Sequence, residues 1–413
     1  MTTRIILTLL PFALPLYVVR FQVGPIPTTL LEVVILAALG AWVLTEREGL
    51  WTRIRKSSKA CLTIPILIFF LAGTISVFVA PGTVAALGLW RAYFLEPILV
   101  LIMLRDLVRT DEDRRRLMTS LAGVTILVVA WTVLQRLGVL PIPPPWDAPP
   151  QGIRATGPFP FPNAVALFVV PIGALCLSFL SFPHSILSFR ILQAKRGKSG
   201  IHIERNWIPA YAGMTVLILG FLSALIASFL AESDGGMIAL LAALGVVLLR
   251  NARTRLPTIL VSIVALVSIF SISAIREPLL EKVLFKDWSG MVRLVMWDEA
   301  SAMLRDHPIL GAGLGAYPDV IVPYHGAEWM EIFQYPHNII LNFWSEIGLL
   351  GLVAFAWILI RWYRASPVLA LPVIAAILIH GLVDVPYFKN DLAILFWMLI
   401  VVTTFNVNSR QRL

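Results

Sequence analysis

The stretch FPFPNAVALFVVPIGALCLSFLS, residues 159–181, decides the fold. Its 23 residues contain no Asp, Glu, Lys, Arg or His. A bilayer core takes about 20 apolar residues at the rise of a helix, so this run is long enough to cross one. A helix that is apolar on every face has no side to turn to water. Working outward, the same pattern recurs along the whole chain. Apolar runs bounded by charge, Pro or Gly fall at residues 5–20, 26–45, 61–80, 86–104, 117–136, 212–231, 235–250, 257–275, 337–360, 366–384 and 391–407. With residues 159–181 they predict about twelve transmembrane helices and an all-α membrane protein. Of the 413 residues, 58% are hydrophobic and only 14% charged. An ordinary soluble domain has roughly 25% charged residues, so the whole chain, residues 1–413, reads as a single polytopic membrane domain.

The cations give the orientation. Arg4, the 47–59, 105–116, 190–205 and 250–255 segments, Arg361, Arg364, Arg410 and Arg412 all fall on one side of this alternation, which the positive-inside rule makes cytoplasmic. Both termini are then expected in the cytoplasm, and residues 182–211 form a basic cytoplasmic loop. Residues 137–158, the turn at 232–235 and a long loop, 276–336, lie on the other side, with the long loop just before the last three helices. The formal charge of +9 is dispersed over short loops, so it reflects topology and indicates no nucleic-acid partner. Cys61 and Cys176 lie far apart in sequence and read as packing residues, with no disulfide or zinc pattern. The first apolar run lacks a small-residue cleavage site and contains Pro11 and Pro15, so it is expected to be a retained helix.

Several polar positions carry a mechanical or chemical reading. Thr110 and Asp113 form a capping box before the 117–136 run. Asp111 and Asp113 also have the look of a metal-binding pair, but Arg114, Arg115 and Arg116 compete for both carboxylates. In the long loop, residues 291–304 place Val292, Val295, Met296, Ala300 and Met303 at helical spacing, predicting a helix near the membrane surface. Gly311, Gly313 and Gly315 follow. No βαβ unit surrounds them, so a turn packing the loop helix against the bundle is preferred to a dinucleotide fingerprint.

His337, Asn338, Asn342 and Glu346 make a polar face where the loop enters the 337–360 run. Lipid satisfies none of these groups, so they are expected to face the bundle or a wet cavity. His337 is equally readable as a helix cap or a functional group. Arg91 and Glu96 sit inside one run, Arg154 just before another, and Arg293 in the loop helix. Arg91 with Glu96 reads as an internal ion pair; several Arg on the outer side together read as a site for an anionic ligand such as a lipid pyrophosphate. Glu232, Asp234 and Asp384 pair with these cations, orient a ligand or are solvated. His307, His325 and His380 match no metal-ligand spacing with His337.

These residues carry a resemblance. Arg293-x-x-x-Trp297, then Asp306-His307-Pro308-Ile309-Leu310-Gly311-x-Gly313-x-Gly315, Pro336-His337-Asn338 and Glu346-x-Gly348-x-x-Gly351 resemble the signature region of the bacterial O-antigen ligase and O-antigen polymerase family. Arg154-Ala155-Thr156-Gly157-Pro158-Phe159-x-x-Pro162-Asn163-x-x-Ala166 resembles a second family segment. The resemblance implies a glycosyltransferase in the bacterial inner membrane, working at its outer face without metal or cofactor. Its donor would be an undecaprenyl-pyrophosphate-linked glycan, its acceptor a lipid A core or other hydroxyl, and its surroundings membrane lipids. It further implies His337 and Arg293 as catalytic residues, with Arg154, Arg91, Asn338, Glu346 and Trp297 contacting pyrophosphate or glycan. One position departs: where the family commonly has Ser-Arg-Gly, this chain has Ser233-Asp234-Gly235. A polymerase of the same family, whose acceptor is a second lipid-linked unit, is the alternative. A lipid-linked sugar transporter or flippase is the rival from another class, marked by repeats and paired broken helices. An inactive homologue that binds lipid-linked sugar is the third.

Overall fold

The computed structural model describes residues 2–24, 26–57, 62–148, 152–181, 196–197, 200–201 and 207–405. Apart from residues 196–197, 200–201 and 207–211, the expected basic loop 182–211 lies outside the described residues. So do Cys61, Arg410 and Arg412.

The chain opens with α1 (Thr2–Ala13), a 3-10 turn (Leu14–Val18) and a hairpin of β1 (Arg20–Val23) and β2 (Ile26–Thr29). Next come α2 (Leu30–Glu46), α3 (Leu50–Ser57), α4 (Thr63–Val79) and α5 (Thr83–Trp90). A π turn (Arg91–Leu95) joins α5 to α6 (Glu96–Leu107), and α7 (Asp111–Arg136) and α8 (Pro162–Leu180) follow. A two-residue pairing of β3 (Arg196–Gly197) with β4 (Gly200–Ile201) precedes α9 (Trp207–Leu230), α10 (Asp234–Arg250), α11 (Ala252–Ser271) and α12 (Ser273–Val283). The chain continues through α13 (Trp288–Asp306), the single turn α14 (Tyr317–Val320), α15 (Ile339–Ala365), α16 (Pro367–Gly381) and α17 (Asn390–Thr404).

The protein is mostly helical, and every one of the apolar runs contains helix. Among the described residues six helices are long and apolar enough to cross a membrane: 83–107, α7, α8, residues 213–230 of α9, α11 and α15. The segment 2–18, α4, α16 and α17 are apolar but shorter. The run that decided the fold, α8, is buried at Pro162 and from Ala164 to Phe179, and it packs against α7, α9, α10, α16 and α17. At the other extreme α11 has no buried residue, and its apolar side chains face outward on all sides.

The cap before α7 forms as its sequence predicts: Asp113 N–H donates to Thr110 Oγ1 at 3.1 Å, and Thr110 N–H to Asp113 Oδ2 at 3.0 Å. Arg115 and Arg116 pair with Glu112, and Arg114 is buried against the Val402 carbonyl at 2.6 Å and the Phe179 ring. The 47–59 segment, expected as a loop, contains α3, whose Arg53 bonds Asp106 at 2.7 Å and so ties it to α6.

The predicted loop helix is present as α13. The glycine turn that follows docks on α15. Gly311, Gly313 and Gly315 all have positive φ, and Ala312 N–H donates to the Ser345 carbonyl at 2.7 Å. A Cβ at Gly311 would lie 2.3 Å from the Trp344 carbonyl oxygen, so only glycine fits this approach. The docking breaks α15, which the sequence reads as continuous. Ile347 and Gly348 are non-helical, Gly348 has φ of 68°, and Leu349 N–H leaves the helix to bond the Ile309 carbonyl at 2.9 Å.

Candidate active site

The broken helix and the elements around it enclose one large cavity of about 1310 Å³. Its wall draws on the 3-10 turn and β1 (Tyr17, Arg20), the π turn (Tyr93), the segment before α8 (Trp146, Arg154, Phe161), α13 (Arg293), residues 333–337, α15 (Asn342, Glu346) and residues 388–390. The structure therefore brings four of the seven sequence candidates, His337, Arg293, Arg154 and Glu346, to one cavity.

His337 stands just before α15 with φ of 45°, a left-handed conformation rare for a residue with a side chain. Its Nδ1 lies 3.3 Å from Asp384 Oδ1, an ion-pair approach short of a well-aligned hydrogen bond. The ring also packs against Tyr335 and Phe333, with centroids 4.7 and 5.7 Å away. His337 is not the cap of α15. Asn338 is: its Oδ1 accepts from Ile340 N–H and Leu341 N–H, and its Nδ2 donates to the Leu382 carbonyl. Both ends of that side chain are thus used within the protein. Trp297 likewise turns away from the cavity wall and donates from Nε1 to the Pro336 carbonyl at 3.0 Å, holding the residue before His337. Glu346 Oε2 accepts Gly315 N–H at 2.6 Å, linking the glycine turn to the cavity wall.

The two cavity arginines are held by neutral acceptors. Arg293 Nε donates to the Val383 carbonyl at 2.9 Å and Nη1 to Ser289. Arg154 donates to the carbonyls of Ala231 and Glu232 and to Asn163 Oδ1, all at 3.0 to 3.1 Å, and its guanidinium lies over the Trp146 ring. Burial pulls the Arg154 pKa down, while Glu232 and Asp234 oppose that pull. Arg91 goes elsewhere. Its Nη2 meets Glu32 at 2.8 Å and its Nε lies 3.4 Å from Glu96, so it serves the internal pairing that was its competing reading. Asp234, at the departing position, pairs with Lys282 of α12 at 2.6 Å in an exposed contact.

Two cavity cations were not among the site residues expected from sequence. Arg20 is delivered by the hairpin, and Lys389 by the turn before α17, where its Nζ sits 3.8 Å from the Phe161 ring centroid. Burial pushes the Lys389 ammonium down to about 8, against the pull of Asp391 and Asp384. A signal existed: both are cations at ends of apolar runs that the sequence pattern is expected to place outside, where the positive-inside rule disfavours them. No group of three or more His, Cys, Asp or Glu among the described residues is arranged to hold a metal ion.

Residues 219–356 match the model of the family described as O-antigen ligase. That segment contains Arg293, His337 and Glu346, and the resemblance carried by their motifs holds there. Two rickettsial proteins, each named "Putative polysaccharide ligase", are also similar. The one from Rickettsia conorii is 27% identical over 213 residues, 49% of this chain and 47% of the relative. The one from Rickettsia felis is 30% identical over 158 residues, 36% of this chain and 37% of the relative. The matches thus span less than half the length of these relatives.

Proposed function

We propose that this chain is a multi-pass inner-membrane glycosyltransferase that moves a glycan from an undecaprenyl-pyrophosphate carrier to an acceptor hydroxyl, in the manner of an O-antigen ligase. In this reading about twelve helices cross the membrane, both termini and residues 182–211 are cytoplasmic, and residues 276–336 and the cavity lie at the outer face. The single observation that carries it is the sharing of one cavity by His337, backed by Asp384, with Arg293 and Arg154.

The chemistry follows from those groups. With Nδ1 turned to Asp384, His337 presents Nε2 as a general base. It takes the proton of the acceptor hydroxyl as that oxygen bonds to the anomeric carbon. The bond from that carbon to the pyrophosphate oxygen breaks, and its electron pair leaves on the pyrophosphate. Arg293 and Arg154, positioned before the reaction, meet the charge that develops there, a task a divalent ion performs in other transferases. Asp384 fixes the imidazole tautomer and orientation. The acceptor, a lipid A core sugar or another hydroxyl, is chosen by the shape of the loop.

The transporter rival expects paired helix breaks lining a path. Here the α15 break is filled by the Gly311–Gly315 turn, which favours a fixed site. The test is glycan transfer in proteoliposomes supplied with undecaprenyl-linked glycan and candidate acceptors. The wild type is expected to form product, and His337→Ala and His337→Gln to lose about 10²- to 10⁴-fold in rate. Equal product from all three would remove His337 from the mechanism. Movement of lipid-linked sugar between leaflets with no new glycosidic bond would replace the transferase by a transporter.

A further inference from the structure

Part of the cavity wall carries buried polar groups that the described residues leave unsatisfied. Asn342, on the first half of α15, is 1% exposed and lines the cavity. Neither its Nδ2 nor its Oδ1 has a hydrogen-bond partner among the described residues, and the same is true of Tyr17 Oη and Lys389 Nζ on that wall. Leaving a buried polar group unsatisfied is destabilising, and a leucine of similar size would serve packing without that penalty. A ligand in the cavity is therefore the natural partner.

The chemistry of the orphaned groups selects its class. A phosphate or carboxylate only accepts hydrogen bonds, so it would satisfy Nδ2 but set a second acceptor against Oδ1. Glu346, one turn further along the same face, adds carboxyl oxygens rather than fixed donors, which suits a hydroxyl better than an anion. A hydroxyl both donates and accepts, and two neighbouring ring hydroxyls meet both ends of one carboxamide. The rings of Phe161, Tyr93 and Phe388 on the same wall offer apolar faces to the carbon skeleton between hydroxyls. Arg154 and Arg293, which only donate, suit the opposite kind of ligand. Asn342 lies one turn into α15, about 6 Å along the axis from the cap Asn338 that follows His337, within the reach of one sugar ring.

We propose that Asn342, with Tyr17, forms a subsite for the uncharged glycosyl unit whose anomeric carbon reacts, recognised through a pair of neighbouring hydroxyls and separate from the cation-lined pyrophosphate end. This deepens the transferase reading and rests on it.

The test uses the full chain in nanodiscs and three short carriers: geranyl pyrophosphate, and the same carrier bearing glucose or N-acetylglucosamine. Affinities are read by tryptophan fluorescence, since Trp146 and Trp288 line the cavity. The wild type is expected to bind at least one sugar-bearing carrier about tenfold more tightly than the bare one. Asn342→Leu should abolish that preference while keeping the affinity for geranyl pyrophosphate within about twofold. Tyr17→Phe, which removes only a hydroxyl, should reduce the preference about threefold and guards against a folding defect in the first variant. Arg293→Ala should weaken all three carriers alike. A preference that survives in Asn342→Leu, or a wild type with none, overturns the subsite and leaves the transferase standing. Loss of bare-carrier affinity in Asn342→Leu makes Asn342 a phosphate ligand and also overturns it. Failure of the wild type to bind any carrier removes the transferase reading and the subsite together.

Discussion

Arg91 and Arg293 are both cations in a chain with few of them, and their surroundings differ in kind. Arg91 is clamped between the carboxylates of Glu32 and Glu96, and Glu32 also closes the cap of α2 through Thr29 N–H and binds Asn390. Its charge is spent inside the protein. Arg293, like Arg154, is oriented by carbonyl, hydroxyl and carboxamide oxygens, and among the described residues no carboxylate lies within ion-pair distance of either. Neutral acceptors fix a guanidinium without cancelling its charge, which leaves it available to an anion. The contrast teaches that an arginine in an apolar chain announces a function only when its partners are read as well.

The largest expected effect is Arg293→Ala, which should lower glycan transfer by about 10²- to 10³-fold by removing a group aimed at developing charge. Arg293→Lys should recover only part of that, since an ammonium cannot reproduce a fork held at Val383. Arg91→Ala, compared per folded molecule, should change transfer by less than about tenfold. Similar losses from both arginines would erase the distinction.

Asp384→Asn tests the partner of the imidazole. It should cost about 10- to 100-fold in kcat with KM little changed, as expected when a group that orients a catalytic side chain is lost. A change confined to KM would make Asp384 a substrate contact instead.

Arg91→Ala should show its effect in stability. It strands two buried carboxylates, and breaking a buried pair costs about 3 kcal/mol, readable as a fall in Tm. Adding Glu32→Gln and Glu96→Gln should restore part of the loss. An unchanged Tm would mean the cluster holds nothing together.

The smallest effect concerns the strand of loop that carries Phe333 and Tyr335 to the cavity. His325 clasps it to α13, with Nδ1 3.1 Å from Glu299 and Nε2 2.9 Å from the Met330 carbonyl. The hydrogen bond to Glu299 raises the His325 pKa above its ordinary value of 6.5. A raised folded-state pKa means the contribution is fully present below about 6.5 and is lost as pH rises through the higher folded value. Hydrogen exchange over residues 325–336 should therefore speed up modestly between pH 6 and pH 8, and His325→Gln should flatten that dependence. Equal exchange at both pH values in the wild type would remove the clasp.

Much of the architecture was legible in the residues. The apolar runs are helical, the Thr110–Asp113 cap forms, α13 stands where Val292 to Met303 kept helical spacing, and the glycines make a turn. Each of these signals acts over a few residues. The break in α15 was not legible, because Gly348 leaves the helix to meet backbone from Ile309 and Leu310 of a separate turn. The exchange of roles between His337 and Asn338 was hidden as well, since adjacent polar residues at a helix start look alike until one side chain is seen to cap. Arg20 and Lys389 lay at the ends of different runs, with nothing local to join them to His337.

The order of residues alone determined a mostly helical chain with apolar runs long enough to cross a membrane, the Thr110 cap and the polar positions at the start of α15, because hydrophobic length and that cap's chemistry are local, and lipid would leave backbone groups no partner but their own helix. The tertiary structure decided which cations share the cavity with the imidazole, which are neutralised by carboxylates, and where α15 breaks, because those outcomes depend on packing between segments that local sequence patterns do not connect.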